Sequence, residues 1–340
     1  MEKIRIVFRA DGGTQIGLGH ISRCLAIAGR LKQNFNISFA IQEPGPQLVT
    51  LLKDVCAHII PLPPGDDYQK DAKQFAEHLH ANDIVVLDGY SFDSTYQLFC
   101  KKHSSKVIYI DDLHTMHMYA DGVINHCGDI SPELYDGQNY TRYFLGTAYA
   151  ILREPFLQAT AMKRTINEID TLFINMGGAD IHNYSLQIIR HCATISSIRQ
   201  IYLLTGSANP HLASLKNYIE SADNQKITLL YNLQAGEVCD YMLKSQVAIC
   251  ASSVIAYEAC CAGVGLILYK TASNQNDIYR FLTQKKLGIG VESLELLPEN
   301  IEEFVAYPQL IAAQINLQKK YFDGNSLVRI EEIFYSLVND

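Results

Sequence analysis

Residues 4–34 read IRIVFRADGGTQIGLGHISRCLAIAGRLKQN, and this stretch decides the fold class. The apolar, β-branched run 4–8 predicts a buried strand, and residues 20–34 predict an amphipathic helix. A helix that starts at a glycine-rich turn points free backbone N–H groups into that turn, which favours binding of an anion. The turn contains Gly12, Gly13, Gly17 and Gly19, and the apolar face of the helix contains Ile21, Cys24, Leu25, Ala28 and Leu31.

His20 is the candidate catalytic residue of this stretch, because it lies where the first strand–helix unit would meet a ligand. A histidine titrates at about pH 6.5, which suits a general base near neutral pH. A helix-capping or core histidine fits the position equally well. Gly17 and Gly19 would let a ligand approach the backbone. Arg23, in the first turn of the helix, is either a phosphate ligand or an exposed helix arginine.

Three standard motifs are missing from the chain. The run that starts at Gly17 lacks the third glycine of the dinucleotide fingerprint. The chain has no G-x-x-x-x-G-K-[ST] phosphate loop and no H-E-x-x-H zinc motif. Asp111, Asp112, His114 and His117 have a metal-like composition without a recognised ligand spacing, so a solvated loop is favoured and no metal is predicted.

The strand–helix pattern continues through two halves of similar size. Alternating strands and helices predict parallel sheets covered by helices on both sides. We expect an N-terminal Rossmann-like domain over residues 1–155, a C-terminal one over 165–315 and a C-terminal helix over 316–340, with a cleft between the two domains. Further strands are predicted at 37–41, 84–88, 107–111, 122–124, 171–175, 201–205, 227–231, 247–251 and 265–269.

The second half carries its own candidate binding residues at the ends of strands. Gly177 and Gly178 follow the strand 171–175 and would present backbone N–H groups to a phosphate or a sugar. Ser252 and Ser253 precede a helix and are either ligands or helix caps. Glu258, in that helix, is a carboxylate suited to two ribose hydroxyls. Asn274 and Gln275 follow the strand 265–269 on the same expected side.

Composition restricts the class of protein. The formal net charge of −8 argues against a nucleic-acid-binding surface. No secretory signal and no membrane-spanning run is recognised, and the nine cysteines form no C-x-x-C pair. We therefore expect reduced thiols and a cytoplasmic globular protein.

The run 8–28, FRADGGTQIGLGHISRCLAIA, resembles the start of the PseG family of UDP-sugar hydrolases, which are related in fold to MurG-type glycosyltransferases. Matching segments follow in the family's order along nearly the whole chain. They are LDGY at 87–90, YIDD at 109–112, YAILRE at 149–154, NMGGAD at 175–180, Asn183, Ser185, Ser252–Ser253, Glu258, Asn274–Gln275, DGN at 323–325 and Arg329–Ile330.

The resemblance implies a two-domain α/β fold of the GT-B type, with the nucleotide held mainly by the C-terminal domain. It implies hydrolysis of UDP-2,4-diacetamido-2,4,6-trideoxy-β-L-altropyranose to UDP and free sugar. By position His20 matches the family's base, and Asp11 lies where it would orient His20. Tyr90 and Asn274 match the sugar- and phosphate-side residues, and Glu258 matches the nucleotide-binding carboxylate.

The expected reaction uses His20 to activate a water that displaces UDP with inversion, with no cofactor and no metal. UDP is a good leaving group, so the paired carboxylates of ordinary glycosidases are unnecessary. Two alternatives stay open. One is a MurG-like glycosyltransferase that passes an amino sugar to an acceptor, and the other is a non-catalytic UDP-sugar-binding protein. The sequence does not identify the sugar or the oligomeric state.

Overall fold

The computed structural model describes residues 3–12, 19–206, 209–221 and 225–339. The chain forms two compact units, each built on a parallel sheet. Unit 1 contains residues 1–151 and 326–340, and unit 2 contains residues 152–325. Among the described residues, no helix combines the length and the apolar character needed to cross a membrane.

Unit 1 has a seven-stranded sheet in which every described strand pair is parallel, in the order β3-β2-β1-β4-β5-β7-β9. A separate two-stranded ribbon pairs β6 with β8. The strands are β1 Arg5–Ala10, β2 Asn36–Gln42, β3 His58–Leu62, β4 Ile84–Asp88, β5 Lys106–Ile110, β6 His117–Met118, β7 Gly122–Asn125, β8 Asp136–Gly137 and β9 Arg142–Leu145. The helices are α1 Gly19–Leu31, α2 Pro46–Lys53, α3 Tyr68–Ala76, α4 Ser94–His103 and α13 Ser326–Asn339.

Unit 2 has a six-stranded parallel sheet in the order β12-β11-β10-β13-β14-β15. Its strands are β10 Thr171–Asn175, β11 Gln200–Leu204, β12 Ile227–Leu230, β13 Val247–Ala251, β14 Gly265–Tyr269 and β15 Ile289–Val291. Its helices are α5 Glu154–Ala159, α6 Tyr184–Ala193, α7 Leu212–Ser221, α8 Ala235–Lys244, α9 Val254–Ala262, α10 Asn276–Gln284, α11 Leu297–Ala306 and α12 Gln309–Tyr321.

All ten strands expected from the sequence are present, with bounds that differ by at most two residues. The central strands β1, β4, β10 and β13 are almost entirely buried, which explains their continuous apolar character. The predicted α/β class with two Rossmann-like units is confirmed. In each sheet the order of the strands reverses at a topological switch point, between β1 and β4 in unit 1 and between β10 and β13 in unit 2.

The unit boundaries differ from the domain limits expected from the sequence. Unit 2 begins at Leu152, before residue 155, and the segment 316–340 is not one helix. It contains the end of α12 and then α13, which belongs to unit 1. The cause is an apolar face on α13: Phe334 packs against Phe35, and Glu331 accepts hydrogen bonds from Arg30 (2.6 Å) and Asn34 (3.0 Å) at the end of α1.

Candidate functional site

The switch point of unit 1 brings together residues that are far apart in the sequence. Strands β1 and β4 are parallel neighbours, with Ala10 opposite Asp88. Asp88 is the last residue of β4, and α1, the next helix after β1 in the chain, starts at Gly19. Because the carboxyl ends of parallel strands meet at one edge of the sheet, the start of α1 lies beside the end of β4.

His20 is bound there by the carboxylate of Asp88. Nδ1 of His20 lies 2.7 Å from Oδ1 of Asp88, and the Asp88 side chain is completely buried. An ionised carboxylate only accepts hydrogen bonds, so this contact favours the tautomer with the imidazole hydrogen on Nδ1. Nε2 is then the nitrogen with the free lone pair. This is the arrangement that a buried carboxylate gives to a histidine acting as a base.

Arg23 lies one turn further along α1, and its guanidinium is held by two carboxylates. Its NH2 and Nε groups donate to Asp88 at 2.6 and 3.0 Å, and its NH1 group donates to Asp112 at 2.6 Å. Burial alone would lower the pKa of Arg23, but the charges of Asp112 and Asp88 raise it well above its ordinary value. NH2 is also 2.9 Å from Nδ1 of His20, since both groups share the same oxygen of Asp88.

Asp112 follows β5 and joins this cluster, although the sequence favoured a solvated loop for it. Burial would raise the pKa of Asp112, but the charges of Arg23 and His126 and the hydrogen bond from Arg23 lower it well below its ordinary range. Nε2 of His126 lies 3.8 Å from Oδ1 of Asp112. Within the described part of the chain, no group of three or more His, Cys, Asp or Glu side chains has the arrangement of a metal site.

Tyr90 lies next to His20, as a residue of the same candidate site. The two rings pack edge to face with centroids 4.9 Å apart, and the Tyr90 hydroxyl donates to Oδ2 of Asp112 at 3.1 Å. Tyr90 is 46% exposed, whereas His20 is 8% exposed. Its ring therefore offers a solvent-facing surface beside the imidazole.

Asp11 is not the carboxylate that contacts His20. Its two oxygens accept from the guanidinium of Arg9 at 2.5 and 2.7 Å, and also from the Gln42 N–H and the Tyr68 hydroxyl. Arg9 is fully buried, and its positive charge requires a carboxylate partner. Asp11 is therefore paired with Arg9 and not with His20. Gly19 is the exposed first residue of α1. The predicted role of Gly17 falls outside the described residues.

The switch point of unit 2 carries the glycine-rich turn expected after β10. Gly177 has a φ of +94°, which favours glycine, and a Cβ there would meet open space. Its N–H donates to the Asn175 side chain at 3.3 Å, and the Gly178 carbonyl accepts from the Gly206 N–H at 3.1 Å. Asp180 caps the next helix by accepting from the Tyr184 and Ser185 N–H groups, each at 2.8 Å. Those two amides are therefore occupied by the protein's own carboxylate.

Ser252 and Ser253 lie between β13 and α9, beside this turn in the sheet order. Ser252 is fully buried, and its hydroxyl has no hydrogen-bond partner among the described residues. Ser253 is the N-cap residue of α9, but its side chain makes no capping hydrogen bond within the described structure. The sequence alternative of a helix-capping serine therefore does not hold for its side chain.

Glu258 of α9 is buried and bound to Arg153, which the sequence did not single out as a site residue. Nε and NH2 of Arg153 donate to its two oxygens at 2.7 and 2.6 Å. Burial would lower the pKa of Arg153, but the charge of Glu258 raises it. Asn274 is exposed after β14, and Gln275 uses its side chain to bind the N–H and hydroxyl of Thr271, both at 2.9 Å.

The structure thus joins His20, Arg23 and Tyr90 of the predicted set in unit 1, and it adds Asp88 and Asp112. The signal for Asp88 was present in the sequence, because an acidic residue that ends a buried strand next to β1 lies at the switch point. Asp112 and Arg153 are identified as site residues only by the ion pairs that they form in the structure, with Arg23 and Glu258 respectively.

No protein-family model matches the chain. Three curated proteins, including the following two, are similar over most of its length. Spore coat polysaccharide biosynthesis protein SpsG of Bacillus subtilis (strain 168) is 22% identical over 338 residues, covering 96% of this chain and 97% of that protein. The UDP-2,4-diacetamido-2,4,6-trideoxy-beta-L-altropyranose hydrolase of Campylobacter jejuni is 25% identical over 290 residues, covering 83% of this chain and 97% of that protein.

Solved structures are similar in fold. MurG of Acinetobacter baumannii has a TM-score of 0.66 at 12% identity, covering 98% of this chain and 99% of that chain. Anabaena Alr3699/HepE in complex with UDP has a TM-score of 0.63 at 12% identity, covering 98% and 100%. The resemblance of the sequence to the PseG hydrolases is therefore confirmed, and the chain has the GT-B type of fold found in MurG.

Proposed function

We propose that the chain is an inverting UDP-sugar hydrolase in which His20 is the general base. The observation that carries the proposal is the buried Asp88 carboxylate 2.7 Å from Nδ1 of His20, which leaves Nε2 as the basic nitrogen. Similarity to the Campylobacter jejuni hydrolase supports UDP-2,4-diacetamido-2,4,6-trideoxy-β-L-altropyranose as the substrate.

In the proposed step, Nε2 of His20 takes a proton from a water molecule. The water oxygen forms a bond to the anomeric carbon, the anomeric C–O bond breaks, and its electron pair leaves with UDP. Asp88 stabilises the imidazolium that forms, as a buried carboxylate does in hydrolases that use a histidine base. The exposed ring of Tyr90 would contact the sugar beside the imidazole.

UDP would be held by unit 2. Glu258 would accept the ribose hydroxyls, because a carboxylate offers about four lone-pair positions and Arg153 uses only two of them. The backbone of Gly177 and Gly178, together with Ser252 and Ser253 before α9, would bind the diphosphate. Asn274 and Gln275 would contact UDP at its phosphate groups. No metal takes part in this scheme.

His20→Asn tests the proposal. The variant should bind UDP with a Kd within about twofold of the wild-type chain, measured by calorimetry, while UDP release falls by about 10²-fold or more. His103→Asn is the matched control, since His103 is an exposed residue at the end of α4. Hydrolysis retained in His20→Asn removes His20 from the mechanism.

A panel of UDP-sugars, with products identified by mass spectrometry, tests the substrate and the reaction type. Free diacetamido sugar and UDP in equal amounts support hydrolysis. Slow UDP release that accelerates with an added acceptor sugar or lipid supports a glycosyltransferase instead. UDP binding without turnover of any sugar in the panel supports a binding protein.

A further inference from the structure

Five side chains of unit 1 form a closed cycle of contacts. Asp88 contacts His20 and Arg23, Arg23 contacts Asp112, Asp112 accepts from the Tyr90 hydroxyl, and the Tyr90 ring packs on His20. Asp112 and His20 come from different parts of unit 1, and within the described structure their side chains form no hydrogen bond with each other. The cycle nevertheless connects them twice, once through Arg23 and once through Tyr90.

The charges in this cycle do not cancel. Arg23 carries one positive charge, and Asp88 and Asp112 carry one negative charge each, so the cycle has a net charge of −1 when His20 is neutral. When His20 takes a proton, the cycle becomes neutral. If Asp112 were uncharged, Arg23 would offset Asp88 completely, and protonation of His20 would leave an excess positive charge in a largely buried site.

We propose that Asp112 is a positioning residue for the base: by neutralising Arg23, it leaves the charge of Asp88 available to the imidazolium that forms on His20. This inference rests on the proposed role of His20 as the base. It assigns a function to a residue that does not itself contact the imidazole, and it gives Arg23 a role within the protein rather than on a phosphate.

The other ionisable groups around the cycle are either neutral near pH 7 or hydrogen-bonded to groups outside the cycle. Burial raises the pKa of the Cys24 thiol, which lies 3.8 Å from Asp88, and burial also raises that of the Tyr109 hydroxyl. Burial and the charge of Arg23 lower the pKa of His126 to about 4.

Asp111 accepts from Tyr135 at 2.8 Å and from the N–H groups of residues 113 and 114. Residues 13–18, GTQIGL, carry no ionisable side chain.

The test measures protonation of His20 in the free chain, without substrate. Histidine labelled with ¹³C at Cε1 gives one NMR signal for each of the 11 histidines, and the His20 signal is the one missing in His20→Asn. Asp112→Asn should move the His20 titration midpoint to lower pH by roughly 0.5–1 unit, because a negative charge is lost from the cycle. Arg23→Gln should move it to higher pH, because a positive charge is lost.

Controls separate charge from structure. Arg23→Lys keeps the charge and should leave the midpoint closer to wild type than Arg23→Gln does. Asp54→Asn removes the same charge as Asp112→Asn from the exposed end of α2 and should leave His20 unchanged. Should Arg23→Gln fail to fold, the comparison of Asp112→Asn with Asp54→Asn decides alone.

Shifts of Asp112→Asn and Arg23→Gln in the same direction, or no shift in Asp112→Asn, overturn the inference. The outcome is independent of hydrolysis. A chain whose His20 titrates as expected but that releases no UDP from any UDP-sugar retains the charge cycle and contradicts the hydrolase proposal. A chain that hydrolyses its substrate without these shifts contradicts only the role of Asp112.

Discussion

Arg153 binds both carboxylate oxygens of Glu258, at 2.7 and 2.6 Å, and the Glu258 side chain is 2% exposed. The pair joins α9 to the residue that precedes α5 within unit 2. A guanidinium that meets a carboxylate through two parallel hydrogen bonds fixes the orientation of both groups. Glu258 is thus pre-oriented, and its burial makes it dependent on Arg153.

Replacement of Arg153 by Met should destabilise unit 2. It leaves the Glu258 carboxylate buried without its counter-charge, at a cost of roughly 2–4 kcal/mol, less than for a fully buried pair because the Arg153 side chain is 30% exposed. For a unit of this size, the thermal midpoint measured by calorimetry should fall by roughly 5–15 °C. Arg199→Met is the matched control, because Arg199 forms an exposed pair with Glu168 and should change the midpoint by only a few degrees. Equal effects of the two variants would contradict this account.

Asp88→Asn should abolish most of the turnover. An asparagine amide at this position would favour the wrong tautomer of His20, because it would donate to Nδ1 where the carboxylate accepts. We expect kcat to fall by about 10²- to 10⁴-fold, with the Kd for UDP nearly unchanged. Asp83→Asn is the control: Asp83 precedes the other end of β4 and is bound by Arg5, so its loss should affect stability but not kcat. A kcat near wild type in Asp88→Asn would remove the carboxylate from the mechanism.

His126 should make the protein less stable in mild acid. Its pKa is lowered to about 4 in the folded chain by burial and by the charge of Arg23, whereas an unfolded histidine titrates near about 6.5. Between these values the unfolded chain binds the proton and the folded chain does not. Stability is therefore lost as the pH falls from about 6.5 to about 4, by roughly 3 kcal/mol.

His126→Gln should lack this part of the acid sensitivity. Thermal midpoints measured between pH 7 and pH 4.5 should fall less steeply than in the wild-type chain, even if the variant starts from a lower midpoint. This pH range lies largely between the pKa values of His126 in the unfolded and the folded chain. His103→Gln, at an exposed position, should keep the wild-type slope. An unchanged slope in His126→Gln would show that another group causes the acid sensitivity.

Chelation of divalent metals should leave UDP release unchanged. The proposed step stabilises the departing diphosphate by backbone N–H groups and helix N-termini, which need no cation. The rate should stay within about twofold after dialysis against EDTA, a difference below 1 kcal/mol in barrier. Loss of activity that Mg²⁺ or Mn²⁺ restores would contradict the metal-free scheme.

The central strands were predictable because burial on both faces requires continuous apolar runs. The three longer strands that the sequence did not indicate, β3, β9 and β15, all lie at the ends of their sheets. Each is partly exposed, and its sequence is not one continuous run of large apolar residues. Strand β3 also contains Pro61. The missing signal has a physical cause, since an edge strand needs only one neighbour and less apolar surface.

In the candidate site, single residues were easier to predict than their partners. His20 was identified from its position after a glycine-rich turn. Its carboxylate was expected in Asp11, nearby in sequence, but Asp88 is 68 residues away and is brought next to His20 by the pairing of β1 with β4. Asp11 instead forms an ion pair with Arg9, which is buried in the mainly apolar strand β1. Charge pairs formed across a sheet leave no local pattern in the sequence.

The position of α13 has a consequence for the order in which the chain can mature on the ribosome. Unit 2 is one continuous segment, whereas unit 1 needs residues 326–339 to cover Phe35 and to supply Glu331 to Arg30 and Asn34. The segment that is synthesised first is therefore completed last, after all of unit 2 has emerged. Until then the end of α1 keeps an apolar surface exposed to which chaperones can bind, and α1 is the helix that carries His20, the proposed base.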